Sequence, residues 1–246
     1  ESGCEWGCFD YSQQEPRLVV HFAATTAGIK EDQSVKEIVD NYSNNDIDFH
    51  KTVADMAGIS RLQAKTINLG LFYGMGKAKL QAELGLSTKQ EAETLFNQYH
   101  DRVPFVRDLM NETSRWASRE GEIRTLLGRG CRFNKWEPAQ FGMHTPMTWE
   151  DAVKKYGENR IRRAFTYKAL NKLIQGSAAD MTKKSMLDLY KEGIIAHIQI
   201  HDELDLSVES KEHANKIIEI MENAVKLAVP NKVDYESGKN WGDIYD

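Results

Sequence analysis

Three adjacent residues, His201, Asp202 and Glu203, form the strongest chemical signal in the sequence, because they interrupt two runs of alternating apolar residues. The alternating positions are Ile194, Ala196, Ile198 and Ile200 before the triplet, and Leu204, Leu206 and Val208 after it. This alternation predicts a β-hairpin with half-buried strands. Adjacent carboxylates at a tight turn repel each other, which suggests a site that holds a cation. A solvated acidic turn is the alternative.

A second carboxylate, Asp10, follows a short apolar stretch that ends at Phe9. Ser12, with Glu15 three residues later, has the spacing of a helix capping box, which predicts a helix over residues 13–26. Asp10 therefore lies where a strand passes into a helix. A carboxylate there and another on the hairpin turn could converge on two divalent ions, as two-metal phosphoryl transfer requires. The alternative is that Asp10 is an ordinary cap or turn residue.

A third segment, residues 61–74, predicts a helix that Ser60 caps. Four of its residues recur every fourth position along one stripe: Arg61, Lys65, Leu69 and Tyr73. Two cations in the first turns of a helix repel each other and oppose the helix dipole. An anion such as a triphosphate docked there would remove this conflict. A solvated basic face is the alternative, but it does not explain why the stripe continues with bulky residues.

The three segments together resemble motifs A, B and C of family A DNA polymerases, the family of bacterial DNA polymerase I and bacteriophage replicative polymerases. They are DYSQQEPR, the R-x-x-x-K-x-x-x-x-x-x-x-Y-G helix and the HDE hairpin, in the family's order, and the resemblance covers nearly the whole chain. It implies an α+β fold, with a palm of antiparallel sheet and helices and mostly helical fingers. It also implies template-directed DNA synthesis by two-metal nucleotidyl transfer from a dNTP to the primer 3′-hydroxyl.

The resemblance assigns roles to individual residues. It implies a catalytic set of Asp10, Asp202, Glu203 and Lys65, in which Lys65 gives a proton to pyrophosphate and Glu203 is an auxiliary acid. It implies two Mg²⁺ ions, for which Mn²⁺ can substitute, held by Asp10, Asp202 and the backbone carbonyl of Tyr11. The implied contacts with the incoming dNTP come from Gln13, Glu15, His50, Arg61, Lys65, Leu69 and Tyr73. The implied contacts with DNA come from Arg17, Asn171, Gln175 and His201.

Two positions depart from the family pattern. Leu69 stands where the family usually has Phe or Tyr against the sugar of the incoming nucleotide. Tyr167 stands where many relatives have an arginine, four residues before Asn171. Arg163 and Lys168 are the two candidates to replace that arginine.

Two functions other than polymerase activity account for part of the sequence. One is a non-catalytic nucleic-acid-binding remnant of a polymerase, and the intact Asp10, Lys65 and Asp202 argue against it. The other is a metal-dependent phosphohydrolase, which does not explain the helix over residues 61–74.

The chain has 246 residues, with 41% hydrophobic and 28% charged residues and a net charge of −5. The charge is uneven, since residues 154–172 hold seven bases and one acid whereas residues 31–55 hold seven acids and two bases. Phosphate binding depends on such a local basic stripe rather than on the total charge. No apolar run approaches the roughly 18 residues of a membrane span. No membrane partner is therefore expected. The resemblance implies primer-template DNA and dNTPs as partners, and the expected location is the cytoplasm of a bacterium or a phage-infected cell.

The predicted organisation has four parts: palm over 1–27, fingers over 28–130, an irregular insertion over 131–159, and palm over 160–246. Its remaining predicted helices span 31–43, 48–58, 88–98, 103–120, 160–192 and 211–228, with a short β segment at 121–130 and a strand at 232–236. The sequence starts almost on a catalytic strand without an initiator methionine. We therefore expect part of a larger polymerase, with thumb, exonuclease and any processivity factor elsewhere.

The three cysteines, Cys4, Cys8 and Cys131, are too few for a disulfide scaffold and fit a reducing compartment. Cys4 and Cys8 with His21 lack a fourth ligand, so we do not expect a zinc site from these residues.

The Leu69 departure predicts strong discrimination against dideoxynucleotides. In relatives, a tyrosine hydroxyl here stands in for the missing 3′-hydroxyl, and leucine has no polar atom for that role. Leu69→Tyr should relax the preference by about 2–4 kcal/mol, the scale of a charge-assisted hydrogen bond restored in a desolvated site. The measurement is the ratio of kcat/KM for dideoxy and deoxy substrates, and an unchanged ratio would place Leu69 away from the sugar.

Overall fold

The structure is a computed structural model that describes residues 3–44, 47–72, 77–140, 142 and 144–245. Its strands are β1 (Glu5–Tyr11), β2 (Glu122–Arg124), β3 (Gly130–Arg132), β4 (Trp136–Pro138), β5 (Ile161–Arg163), β6 (Ile198–Ile200), β7 (Glu203–Val208) and β8 (Val233–Gly238). Its helices are α1 (Gln14–Thr25), α2 (Gln33–Asn44), α3 (Phe49–Ala57), α4 (Arg61–Phe72), α5 (Lys77–Glu83), α6 (Lys89–Arg102), α7 (Pro104–Glu120), α8 (Trp149–Tyr156), α9 (Ala169–Lys191), α10 (Lys211–Asn223) and α11 (Gly242–Tyr245).

An antiparallel sheet with the order β6-β7-β1-β8 organises the fold. The predicted hairpin is confirmed, with His201 and Asp202 as its turn. The prediction of two half-buried strands is wrong for β6, since Ile198 and Ile200 are 40% and 42% exposed. The reason is the two-residue turn, which pairs Ile200 with Glu203. Paired residues share a face, so the isoleucines of β6 lie opposite the buried leucines of β7.

The buried face of the sheet packs against helices. α9 contacts α1, α7 and α10, and α10 also contacts β7 and β8. Tyr11, at the end of β1, is hydrogen-bonded to both α9 and α10. Its hydroxyl is hydrogen-bonded to Ser185 Oγ on α9 (2.6 Å) and donates to the Met221 carbonyl on α10 (2.5 Å). Burial raises the pKa of Tyr11 to about 12.

The start of α1 differs from the predicted capping box. Its N-cap is Gln13, which has a left-handed φ of 54° and no side-chain cap hydrogen bond. The Ser12 amide instead donates to the Lys232 carbonyl at 2.9 Å, beside β8. Tertiary pairing therefore overrides the local capping signal.

The capping of α4 agrees with the sequence. Ser60 Oγ accepts from the Gln63 amide (3.2 Å), and Gln63 Oε1 accepts from the Ser60 amide (3.0 Å). This reciprocal pair satisfies two of the free amides at the helix start. Gly74 and Tyr73, at the predicted end of this helix, lie outside the described residues.

The predicted long helix over residues 160–192 is wrong in its first third. Residues 161–163 form β5, paired with β4, and α9 begins only at Ala169. Arg163 explains the difference, because its guanidinium stacks on the Trp136 ring (4.6 Å) and donates to the carbonyls of Ser118 (3.2 Å) and Phe133 (3.0 Å). Phe165 then takes a left-handed φ of 63°, which breaks any continuous helix.

Smaller differences concern element ends. The segment predicted as irregular contains β4 and α8, and α5 had no predicted counterpart. α10 ends at Asn223 rather than at residue 228. Among the described residues, none of the helices combines the length and apolarity that a bilayer span requires.

Removing the Tyr11 hydroxyl should destabilise the protein, because it leaves the buried Met221 carbonyl without this donor. We expect Tyr11→Phe to lower the free energy of unfolding by about 1–3 kcal/mol. Tyr190→Phe is the matched control, since Tyr190 is 67% exposed, and it should change stability by less than about 0.5 kcal/mol. Urea unfolding of both variants measures the difference, and equal effects would contradict the proposed anchoring of β1.

Candidate active site

Carboxylates from neighbouring strands converge at the end of β1. Asp10 pairs with Glu203 of β7 on one side and with Asp234 of β8 on the other. Asp202 lies in the turn before β7, and its carbonyl accepts from the Tyr11 amide at 3.5 Å. A cavity of about 540 Å³ opens here, lined by Asp10, Ile200, His201, Asp202, Glu203, Trp241 and Gly242. The structure thus brings together the acidic residues that the sequence places 192 positions apart.

The electrostatics of this cluster favour a cation. Burial and then the nearby charges of Asp202, Glu203 and Asp234 raise the pKa of Asp10 from 3.8 to about 7. A divalent cation would relieve this repulsion, and carboxylate oxygens are the ligands that Mg²⁺ prefers. The residues present therefore fit a hard divalent metal.

His201 occupies the turn with a left-handed φ of 56°. Its Nδ1 lies 2.8 Å from Asp202 Oδ1, and this hydrogen bond is the main cause that raises the pKa of His201. A second cavity of about 110 Å³ joins His201 to Glu15 and Gln175. Asn171 lies one turn before Gln175 on α9 and is partly buried. Residues predicted to contact nucleotide and DNA thus meet at this second cavity.

The basic helix α4 packs on α3 and also contacts α9. Arg61 is held by Asp48, with 2.6 Å between Nη2 and the carboxylate, and Asp48 also caps α3. His50 Nδ1 is hydrogen-bonded to the side-chain amide of Asn68 (3.1 Å), and burial lowers the pKa of His50. Lys65 is exposed one turn after Arg61. Tyr73 and the Leu69 side chain lie outside the described residues.

Two residues predicted to contact nucleotide or DNA have partners within the protein. Arg17 is 3% exposed, and it donates to the carbonyls of Ser12 (2.8 Å) and Pro230 (2.6 Å). It therefore joins α1 to the loop before β8. The Gln13 side chain donates to the Ile47 carbonyl (2.9 Å) and accepts from the Phe49 amide (2.8 Å), so it anchors α3.

The structure also shows the surroundings of Arg163 and Lys168, the two candidates to replace the family arginine near Tyr167. Arg163 is committed to Trp136 and two carbonyls, so it is not available to replace the family arginine. Lys168 lies beside the exposed Tyr167, 5.7 Å from the centre of its ring.

Asp234 and Trp241 are site residues that the sequence did not reveal. The strand at 232–236 was predicted, but its pairing with β1 depends on long-range register. The only signal for Asp234 was an acidic residue within the segment KVDYE, and acidic residues are common on exposed strand faces.

Comparison with known proteins decides the family. The model of DNA polymerase family A matches residues 1–243. The chain belongs to DNA polymerase family A. It is 34% identical over 279 residues to a DNA-directed DNA polymerase of Pseudomonas phage M6, covering 98% of this chain and 39% of that protein. It is 33% identical over 262 residues to DNA polymerase I of Bacillus caldotenax, covering 98% of this chain and 26% of that protein.

A solved structure agrees with this family A assignment. The POL domain of Pol1 from M. smegmatis, in complex with DNA primer-template and dNTP, matches with a TM-score of 0.76 and 27% identity. The match covers 100% of this chain and 41% of that one. The predicted α+β class, an antiparallel sheet with helices, is confirmed. The chain spans about a quarter to two fifths of the length of these relatives.

The raised pKa of Asp10 predicts how stability depends on pH in this family A chain without divalent metal. The folded protein keeps a proton that the unfolded chain releases, so Asp10 destabilises the fold progressively as pH rises from about 4 to about 7. Asp10→Asn removes this effect. Relative to wild type, the free energy of unfolding of this variant should rise by on the order of 1–2 kcal/mol between pH 5 and pH 8. Solvent screening of the partly exposed carboxyl keeps this gain below the full effect of the pKa shift.

Urea unfolding in EDTA at both pH values measures this gain. Asp188→Asn is the control, because hydrogen bonds from Lys184 and Lys191 lower the pKa of Asp188. Its effect on stability should be the same at pH 5 and pH 8. A gain for Asp188→Asn equal to that of Asp10→Asn would contradict the assignment to the carboxylate cluster.

Proposed function

We propose that the chain catalyses template-directed DNA synthesis as the palm and fingers of a larger polymerase. The reaction is nucleotidyl transfer from a dNTP to the primer 3′-hydroxyl. The observation that carries the proposal is the position of Asp10, paired with two acidic residues and facing the same cavity as Asp202. In this proposal the palm comprises residues 1–27 and 160–246, and the fingers comprise residues 28–130.

Asp10 and Asp202 would hold two Mg²⁺ ions, with the Tyr11 carbonyl as a further ligand and Mn²⁺ as a substitute. When bound, the metals lower the pKa of the primer hydroxyl and neutralise charge on the leaving pyrophosphate. The chain's contribution is preorganisation, because β1 and the β6–β7 turn hold the carboxylates close together before any substrate arrives. Glu203 adds negative potential beside Asp10 without being required as a ligand.

The nucleotide side of the site is provided by α3 and α4. Arg61 and Lys65 are exposed cations one turn apart, and His50 lies beside them. A triphosphate would replace Asp48 as the partner of Arg61, exchanging one oxyanion for another. Lys65 would then donate a proton to the leaving pyrophosphate. Glu15 would bar a ribose 2′-hydroxyl, and the resemblance adds Leu69 and Tyr73 as the remaining contacts.

The DNA side of the site would be formed by α9 and the hairpin turn. Asn171 and Gln175 lie four residues apart on one helix face, so both amides can reach the same groove. Minor-groove acceptors are common to all correct base pairs, so amides there check geometry without reading sequence. His201 would contact the primer end. The relative solved with primer-template and dNTP supports these two partners.

The test is primer extension by this chain, or by a longer protein that contains it, with and without Mg²⁺. Asp10→Ala and Asp202→Ala should each reduce extension by several orders of magnitude, because each removes a carboxylate that holds the metals. Glu203→Ala should reduce it distinctly less. Affinity for primer-template should stay near wild type in all three variants.

Asp188→Ala is the matched control, since Asp188 lies on α9 in contact with Lys184 and Lys191. It should leave extension unchanged. Near-normal extension by Asp10→Ala or Asp202→Ala would overturn the assigned chemistry. Wild-type protein that binds primer-template but never extends it would instead indicate a non-catalytic remnant.

A further inference from the structure

The face of the sheet that carries Asp10 holds a second group of possible metal ligands, which shares Glu203 with the cavity and extends two residues along the strands. Cys8 on β1 pairs directly with Asp205 on β7, and Glu203 lies two residues from Asp205 on the same face. The Cys8 thiol and the two carboxylates have ligand atoms that all lie within 4.8 Å of one another. They therefore form a compact set of one sulfur and two oxygen ligands.

Asp205 supplies an independent reason to place a cation here. Its side chain is 0% exposed, and among the described residues neither carboxylate oxygen has a hydrogen-bond partner. Its neighbours across the sheet are Cys8, whose thiol is only a weak donor, and Ile198, whose side chain has no polar atom. A buried carboxylate without partners is strongly unfavourable.

We propose that Cys8, Glu203 and Asp205 form a binding site for one thiophilic divalent cation, with Zn²⁺ the best match. A thiolate with two carboxylates suits zinc, whereas Mg²⁺ prefers oxygen ligands alone. Zinc bonds of about 2.0–2.3 Å require the ligand atoms to approach somewhat more closely than they do now. The partly exposed Glu203 side chain can make that adjustment by rotation.

Binding at this site releases the thiol proton of Cys8, because thiolate is the ligand form. The cation neutralises Asp205 and links the two central strands of the sheet. It also draws Glu203 toward Cys8, away from Asp10. The zinc set considered from the sequence was different, since it joined Cys8 to Cys4 and His21. In the structure, His21 Nδ1 accepts from the Ala228 amide at 3.0 Å, and the ligand atoms grouped with the Cys8 thiol belong to Glu203 and Asp205.

The site does not depend on the proposed polymerase activity, and a titration of the chain with Co²⁺ or Cd²⁺ tests it directly. We expect a thiolate-to-metal charge-transfer band that saturates at one equivalent of metal per chain, which Zn²⁺ removes by competition and excess Mg²⁺ does not. Zn²⁺ should also raise the Tm. The absence of a charge-transfer band in wild-type protein would overturn the proposal, whatever the folding of any variant.

Variants assign the band to residues. Cys8→Ser should abolish it, and Asp205→Asn should weaken Zn²⁺ binding at least tenfold while raising the Tm of the metal-free protein. Cys131→Ser is the matched control and should leave the band unchanged. Asp10→Asn should also keep the band, although the proposed function requires that it lose primer extension. The two proposals can therefore fail separately.

Two further results would overturn the site. One is a band that persists in Cys8→Ser, and the other is a band that Cys131→Ser removes. Either would place metal binding on another thiol.

Discussion

Repulsion among carboxylates at the ends of β1, β7 and β8 is the constraint on which the arrangement of this molecule depends. Asp10 is on a central strand, so both of its neighbours in the sheet are fixed by backbone hydrogen bonds, and both are acidic. The repulsion is tolerated because the opposite face of the same strands is fully packed. Phe9, Leu204 and Leu206 are at most 1% exposed, and their burial holds the strands together. Apolar packing on one face of the sheet thus offsets the repulsion between carboxylates on the other face.

The same division explains why the two faces of the sheet differ so sharply. The inner face is closed by α9 and α10, with Tyr11 bonded to both helices. The outer face carries acidic side chains on three of its four strands, among them Asp10, Glu203, Asp205, Asp234 and Glu236. Such a face is suited to cations and unsuited to direct contact with a phosphate backbone. Any nucleic acid bound here would therefore depend on cations between the sheet and the phosphates.

Local sequence patterns correctly predicted the elements that depend on interactions between nearby residues. The turn at His201–Asp202, the Ser60 cap of α4 and the start of α3 beside Asp48 each depend on residues within a few positions of one another. The family resemblance then placed Asp10 and Asp202 together, which no local pattern could do. Errors arose where distant contacts overrode local preference. Examples are the commitment of Arg163 to Trp136 and the pairing of Ser12 with the segment beside β8.

The side chain of Gln13 has a consequence for how this protein can be recombined with its relatives. Both ends of its amide are bonded to the backbone around the start of α3, at Ile47 and Phe49. Gln13 itself is only three residues from Asp10, so α3 is mechanically tied to β1. A chimaera that imports residues 47–72 from another member of the family must keep both backbone groups in register with this amide. If the chimaera loses these hydrogen bonds to Gln13, only packing will join the imported helices to β1. The carboxylate cluster will then be held less rigidly, although none of its own residues has changed.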